Sequence, residues 1–353
     1  MKNPLAGLFR KSPETLGLDI GSSAVKAVQL KPSGRTYRLT SVGIAPLPPD
    51  AIVDGTIKNP TAVVDAIRRA VPKETKGRDA AVAVCGRELI IKKVQIPHVE
   101  RDELAGAVEL EAEHHIPFAI DEVFLDYHGV GERDGMMDLI LVAVKKTKVN
   151  EYAAVVEEAG LVPAVVDVDS FALGNQFELN FPEDSRDAVA LIDIGASIMK
   201  TNVVRGGSTI FARDIPFGGN NYTQAIAQQL RISFEQAEAA KLGRDVGVSW
   251  ESIVPALEAV SRELTLEVQR TFDYFASTAE PERISKIVLA GGCAQLPGLN
   301  EYLSSNWGIP VELAKPFQRI DVDAALAEEV NAAGPALAVA VGLAMRRPGD
   351  KDR

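Results

Sequence analysis

The 353-residue sequence has only two cysteines and four histidines. Cys85 and Cys293 lie in different halves of the chain without CxxC spacing, which argues against a disulfide and favours a reducing compartment. All four histidines lie between residues 98 and 128. His114 and His115 would diverge by about 100° on a helix, so they cannot chelate one ion together. With no GxSxG motif and no plausible Cys–His nucleophile pair, hydrolase and thiol chemistry are not supported.

Long apolar runs and an excess of positive charge are also absent. The longest strongly apolar stretch, Pro335–Met345, is too short to span a bilayer. Met1–Ser12 lacks an apolar segment long enough for a secretory signal. The net charge of −11 argues against general binding to nucleic acid or anionic lipid. These absences predict a cytoplasmic globular protein without direct membrane insertion, with enough chain for two or three domains.

One sequence pattern occurs twice. Leu18–Lys26 reads LDIGSSAVK and Ile192–Lys200 reads IDIGASIMK, so Asp19 and Asp193 lie 174 positions apart. In each copy an apolar strand is followed by an aspartate, a turn of small residues and a second strand. The third strand of each meander is predicted at Thr36–Ile44 and at Thr209–Asp214. The repeat therefore predicts two related domains.

The repeated turn has the properties of a phosphate-binding loop. A single Asp-x-Gly usually marks an ordinary hairpin, but two copies in register favour nucleotide binding, because small side chains let backbone N–H groups approach an anion. Asp19 and Asp193 are predicted to hold Mg²⁺, directly or through water. For Lys200 two interpretations stay open, a phosphate contact and a surface lysine. The residues predicted to contact phosphate are Gly21, Ser22, Ser23, Lys26, Gly195, Ala196 and Ser197.

Two further features could bind the rest of a nucleotide. Glu238 and Lys241 are three residues apart and share one helix face, which is compatible with a solvent-exposed ion pair or with a ribose contact. The buried strand Ile284–Ala290 leads into Gly291 and Gly292, where exposed backbone could carry a flat ring system.

The order of these motifs resembles the actin, Hsp70 and hexokinase ATPase superfamily. This resemblance implies an α/β, actin-like (ribonuclease H-like) duplicated two-domain ATPase fold, with an α+β insertion subdomain in the first domain. The corresponding motifs are phosphate 1 at Leu18–Lys26, connect 1 at Val165–Gln176, phosphate 2 at Ile192–Ser197, adenosine at Val288–Gly292 and connect 2 at Gly334–Ala344. The implied boundaries are 14–79 for the first domain, 80–165 for the insertion, 166–187 for the return, 188–330 for the second domain and 331–347 for the final helix.

Within this superfamily the sequence resembles the PilM family of type IV pilus assembly proteins, which are related to FtsA. The evidence is Glu111–Phe118 (EAEHHIPF), the following Asp121–Val123 and Asp126, and the EAAK segment Glu238–Lys241. The resemblance implies ATP or ADP with Mg²⁺ as ligands, and twitching motility as the process served. The implied ribose and adenine contacts are Gly218, Gly219, Glu238, Lys241, Gly291 and Gly292.

The same resemblance implies a partner and a location. Proteins of this family bind the cytoplasmic N-terminal tail of a PilN-like inner-membrane protein in a groove beside the insertion, so this chain is expected at the inner membrane as a peripheral protein. Other components of the pilus machine, or a second copy of the chain, are further candidate partners. The strand Arg87–Lys93 is predicted to help form the groove, because an extended peptide can bind along an exposed strand.

Two other functions remain open. An FtsA-like division or filament protein would have a terminal amphipathic helix, whereas Arg346–Arg353 has no apolar face. A small-molecule kinase would need an aspartate base, for which Asp167 and Asp169 are the candidates in connect 1. No residue is clearly placed to orient an attacking water, so at most slow ATP hydrolysis is expected and no catalytic residue is assigned.

Overall fold

The computed structural model describes residues 14–73, 78–182, 187–278 and 283–350. The prediction made for Met1–Ser12 therefore concerns residues outside the described part. The strands are β1 (Leu16–Ile20), β2 (Ala24–Ser33), β3 (Thr36–Pro46), β4 (Ile52–Val53), β5 (Thr56–Ile57), β6 (Asp79–Val84), β7 (Leu89–Pro97), β8 (Val123–Arg133), β9 (Met136–Lys145), β10 (Val162–Val168), β11 (Ala188–Ile194), β12 (Met199–Arg205), β13 (Ser208–Ile215), β14 (Ile284–Ala290), β15 (Val311–Leu313) and β16 (Ile320–Asp321). The α-helices are α1 (Pro60–Ala70), α2 (Leu104–His115), α3 (Lys146–Glu158), α4 (Asp169–Asn180), α5 (Gly219–Leu230), α6 (Phe234–Lys241), α7 (Trp250–Thr278), α8 (Leu299–Trp307), α9 (Ala324–Ala333) and α10 (Ala338–Ala344).

The first sheet has the strand order β10-β6-β1-β2-β3-β16. Strands β1, β2 and β3 form an antiparallel meander, whereas β6 pairs in parallel with both β1 and β10. Every residue of β1 is buried, as expected for an interior strand of a sheet covered on both faces. Helices α1 and α3 cover one face, and α10 covers the other.

The second sheet repeats this arrangement with the order β13-β12-β11-β14-β15. Strands β11, β12 and β13 form the second antiparallel meander, and β14 pairs in parallel with β11 and β15. Each strand thus has a counterpart in the first sheet, in the same position and direction. The duplication predicted from the sequence is confirmed, and we call the two halves the first and second lobes.

The insertion has its own antiparallel sheet, β7-β9-β8. Helix α2 packs on one face of it, where Val108 and Ala112 meet Val94 and Leu141. This unit is narrower than the predicted range 80–165. Strands β6 and β10 pair within the first sheet, and α3 packs against that sheet, so the segment with a separate sheet runs from β7 to β9.

The end of the predicted second domain, 188–330, also packs elsewhere. Strand β16 pairs in parallel with β3 of the first sheet, and Arg38 forms an ion pair of 2.8 Å with Asp321. Val330 packs with Leu39 and Leu337 in the core beneath that sheet. The chain therefore returns to the first lobe before residue 330.

The connecting helices α4 and α10 pack directly against each other. An added Cβ at Gly342 would lie 1.8 Å from the carbonyl oxygen of Ala172, and one at Gly17 would lie 2.1 Å from that of Ala340. Glycine is therefore needed where α10 crosses α4 and β1. The apolar stretch Pro335–Met345 begins within a 3-10 turn, and its α-helical part starts at Ala338.

One described segment, Ala324–Ala344, has the length and mean hydropathy (1.2) of a membrane-spanning helix. It comprises α9, the 3-10 turn and α10. All residues of α10 are buried within the protein, against β1, β2 and α4. The packing of α10 is that of a core helix.

Candidate functional site

The first loop lies at the end of the buried strand β1. Asp19 and Lys26 face each other across the β1–β2 pair, with Nζ 2.7 Å from Oδ2. The backbone N–H of Gly21 donates to the carbonyl oxygen of Ala24 at 3.1 Å and closes the turn. This turn holds Gly21 beside the Asp19–Lys26 pair.

The second loop has the same construction. Asp193 faces Lys200, with Nζ 2.9 Å from Oδ2, and Gly195 N–H donates to the carbonyl oxygen of Ile198 at 3.1 Å. Both hydrogen bonds thus recur at equivalent positions. The two loops that repeat in the sequence therefore share the same turn and the same aspartate–lysine pairing.

Lys200 is not a surface lysine, so one of its two predicted interpretations is wrong. Its Nζ lies between Asp193 and Asp169, the latter at 3.0 Å at the start of α4. Burial alone would lower the pKa of Lys200, but Asp193 and Asp169 together raise it well above its usual value. Burial also raises the pKa of Asp169, and Lys200 opposes this.

The start of α5 packs against the second loop. Gly219 N–H donates to the carbonyl oxygen of Gly195 at 2.9 Å, and Asn220 N–H donates to that of Ala196 at 2.8 Å. An added Cβ at Gly218 would lie 2.5 Å from the Ala196 carbonyl oxygen. Gly218 is therefore required for the close approach of helix and loop.

Lys241 and Glu238 attach α6 to the start of α5. Lys241 Nζ lies 2.7 Å from Glu238 Oε2, and it donates to Thr223 Oγ1 at 2.8 Å and to the Gly219 carbonyl oxygen at 3.1 Å. Thr223 also donates to Glu238. The Lys241 side chain is only 9% exposed and that of Glu238 36%. The alternative of a solvent-exposed ion pair is therefore wrong for Lys241.

The paired glycines after β14 meet the second loop. Gly291 has φ +87°, and an added Cβ would lie 2.5 Å from Asp193 Oδ1 and 2.4 Å from the Ile194 carbonyl oxygen. An added Cβ at Gly292, in contrast, would meet nothing within 4 Å. The turn after β14 thus lies against Asp193, and there is open space beside Gly292.

Each loop carries one aspartate and one lysine, a combination that suits a nucleotide bound with a metal ion. Asp19 acts electrostatically on both Asp169 and Lys200, which places the two loops in one electrostatic environment. Within the described ranges no group of three or more His, Cys, Asp or Glu side chains could hold a metal ion. Magnesium usually takes one or two carboxylates and completes its shell with phosphate and water. Asp19 and Asp193 fit this mode of binding.

Neither candidate kinase base has a free carboxylate. Asp169 is paired with Lys200. Asp167 lies 3.1 Å from Arg346 Nε, and burial raises its pKa while Arg346 opposes this. The geometry gives no support to a sugar-kinase role for either residue.

A cavity of about 350 Å³ lies beside the second loop, between the insertion and both lobes. Arg87, at its entrance, is 3.5 Å from Asp54 and is 78% exposed. Strand β7 supplies part of the predicted groove segment Arg87–Lys93. The lining residues include Asp54, Gly86, Arg87, Leu89, Ile90, Ile91, Ile198 and Asp214.

A contact across this cavity was not predicted. Gly86 N–H, from the turn after β6, donates to Asp214 Oδ2 at 2.6 Å. Burial raises the pKa of Asp214 to about 6, with Gly86 and Lys200 acting in the opposite direction. In the sequence Asp214 is only the last residue of the predicted strand Thr209–Asp214, and a pattern within the repeat does not reveal a partner in the other lobe.

The chain is similar to known proteins along most of its length. The model of the family described as "Type IV pilus assembly protein PilM" matches residues 17–348. The cell division protein FtsA of Neisseria meningitidis serogroup B (strain MC58) is 25% identical over 347 residues, covering 85% of this chain and 83% of FtsA.

Solved structures give the same fold. A PilM–PilN type IV pilus biogenesis complex matches with a TM-score of 0.84 at 28% identity, covering 95% of this chain and 98% of the matched chain. MreB5 of Spiroplasma citri bound to AMPPNP matches with a TM-score of 0.53 at 15% identity, covering 93% and 94%. These similarities confirm the actin-like ATPase fold.

Proposed function

Because the chain belongs to the PilM family of type IV pilus assembly proteins, we propose that it docks the cytoplasmic N-terminal tail of a PilN-like inner-membrane protein and couples this docking to bound nucleotide. The observation that carries the proposal is the cavity between the insertion and both lobes, in a chain similar to one solved as a PilM–PilN complex. Docking would hold the protein in the cytoplasm at the inner membrane, in the service of pilus assembly and twitching motility.

The proposed ligand of the two loops is ATP or ADP with Mg²⁺. MreB5, which has a similar fold, was solved with AMPPNP, and each loop here places a lysine beside a tight turn of small residues. Lys26 would neutralise phosphate charge, while Asp19 and Asp193 would orient the water shell of the metal. Mg²⁺ would supply charge neutralisation between the phosphate oxygens.

The ribose and adenine would lie against the start of α5, α6 and the turn after β14. Glu238 retains exposed surface, so its carboxylate can accept hydrogen bonds from a ribose. The three ammonium donors of Lys241 already serve Gly219, Thr223 and Glu238, so Lys241 would orient Glu238. The open space above Gly292 would accommodate the ring.

The docking proposal is tested with a fluorescently labelled synthetic peptide of the PilN-like tail from the same organism. Arg87→Ala removes an exposed cation from the cavity entrance, and we expect peptide affinity, measured by anisotropy, to fall roughly tenfold. Arg35→Ala, which removes an exposed arginine from the turn between β2 and β3, outside the cavity, is the matched control and should bind as the wild type does. Unchanged affinity in Arg87→Ala would count against this position, and a wild type that binds no peptide would contradict the docking.

A division function is the second candidate, because FtsA shares 25% identity across most of the chain. Deletion of the gene separates the two. Loss of surface pili and twitching with normal cell length supports pilus assembly. Filamentous cells with normal pili would support division instead.

A further inference from the structure

One short turn belongs to both the candidate nucleotide site and the docking cavity. Gly195 N–H and the Ile198 carbonyl oxygen close this turn at 3.1 Å. Gly195 to Ser197 are the predicted phosphate contacts, while Ile198 lines the cavity and is only 5% exposed. A ligand on either side of the turn therefore meets the same few residues.

The start of α5 holds this turn in place through hydrogen bonds. Gly219 and Asn220 donate backbone hydrogen bonds to its carbonyl oxygens, and Asn220 Nδ2 donates to Ser197 Oγ at 3.2 Å. Because the start of α5 holds the turn in this way, the turn moves with the second lobe as one body. A displacement of the phosphate-binding backbone thus becomes a displacement of the Ile198 side chain.

The opposite cavity wall belongs to the first lobe and the insertion. Gly86 N–H reaches Asp214 at 2.6 Å, and a Cβ placed on Gly86 would lie 3.6 Å from Ile198 Cδ1. Leu89 to Ile91 of β7 complete this wall. Since no described strand pairs with the outer edge of β7, an extended segment can bind along it. The width of the cavity is therefore set by how closely the lobes approach.

We propose that nucleotide binding and tail docking strengthen each other, with Ile198 as the residue that couples them. The inference rests on the proposed function. A nucleotide that contacts both loops and a peptide that contacts both cavity walls each stabilise the arrangement in which Gly86 reaches Asp214. Two ligands that favour the same arrangement bind with positive and reciprocal coupling.

The test measures the affinity of the labelled tail peptide with and without saturating Mg-AMPPNP. We expect the wild type to bind the peptide about fivefold or more tightly with nucleotide. In Ile198→Ala this ratio should fall close to one, whatever the absolute affinities become. Ile309→Ala, a partly buried isoleucine outside the cavity, is the control and should keep the wild-type ratio. If Ile198→Ala does not fold, Asp214→Ala, which removes the acceptor of the Gly86 N–H, should lower the ratio instead.

The possible results distinguish a failure of the coupling from a failure of the docking. A wild type that binds peptide and nucleotide with a ratio of one, or that binds peptide more weakly with nucleotide, would overturn the coupling but leave docking intact. A full ratio in a folded Ile198→Ala variant would overturn the role of Ile198. A wild type that binds no peptide in either state would overturn the docking and the coupling together.

Discussion

At the scale of single residues, two lysine–aspartate pairs occupy equivalent positions but differ in their surroundings. Lys26 is 16% exposed and pairs with Asp19 alone, whereas Lys200 is 10% exposed and pairs with both Asp193 and Asp169. The repeat in the sequence predicted that the two aspartates and the two lysines occupy equivalent positions. It could not predict the burial of Lys200, because Asp169 lies outside the repeat, on a connecting helix.

This difference predicts unequal costs of removing the two lysines. Lys200→Ala leaves two buried carboxylates without a cation, so we expect the free energy of unfolding to fall by about 3–5 kcal/mol. Lys26→Ala should cost less, because its partner is single and the pair is more exposed. Urea unfolding measures both, with the exposed Lys31→Ala as control. Equal losses in the two variants would contradict the described environment of Lys200.

The carboxylate of Asp214 predicts a dependence of stability on pH. Its pKa of about 6 in the folded protein lies above that of an unfolded aspartate, about 3.9. Between these values the folded state binds more protons, so Asp214 favours folding less as pH rises through this window. The free energy of unfolding of the wild type minus that of Asp214→Asn should therefore decline from about pH 4 to about pH 6 and level off above. A difference that is constant across this range would show that Asp214 titrates normally.

At the scale of elements, the internal repeat predicted the meanders, but the ends of the insertion depend on long-range pairing. Strand β6 is apolar and precedes the insertion, and only its parallel pairing with β1 assigns it to the first sheet. Strand β16 is two residues long and pairs with β3, far away in sequence. A local sequence pattern does not show which distant strand a segment pairs with. The predicted domain boundaries at 80, 165 and 330 therefore differ from the points at which the chain passes from one sheet to another.

The crossing of α4 and α10 predicts that alanine in place of Gly342 destabilises the protein. In an isolated helix, alanine in place of glycine stabilises by up to about 1 kcal/mol. Gly342→Ala should instead destabilise by about 1–3 kcal/mol, because its Cβ would overlap the Ala172 carbonyl oxygen. Thermal unfolding measures this, and Gly334→Ala, where an added Cβ meets nothing within 4 Å, is the control. A Gly342→Ala variant as stable as the wild type would contradict the crossing.

At the scale of the whole molecule, the predicted two-lobe architecture is confirmed, whereas the arrangement of the lobes is known only from the structure. The second-lobe candidates Gly195, Gly219 and Gly291 lie together because each backbone approaches the same turn. The Gly86–Asp214 contact and the cavity beside it join segments from different lobes. Such juxtapositions depend on how the lobes pack, which no local sequence pattern encodes.

The most direct test of the account is a titration with a fluorescent ATP analogue and Mg²⁺. The wild type is compared with a folded Lys26→Ala, Glu238→Ala double variant and with a control double variant, Lys31→Ala, Glu251→Ala, which changes exposed residues away from the loops. The account predicts micromolar binding by the wild type and the control, weakened on chelation of Mg²⁺, and at least roughly tenfold weaker binding by the Lys26, Glu238 variant. Absence of binding by the wild type, or equal affinity in all three proteins, would contradict a nucleotide site between the lobes.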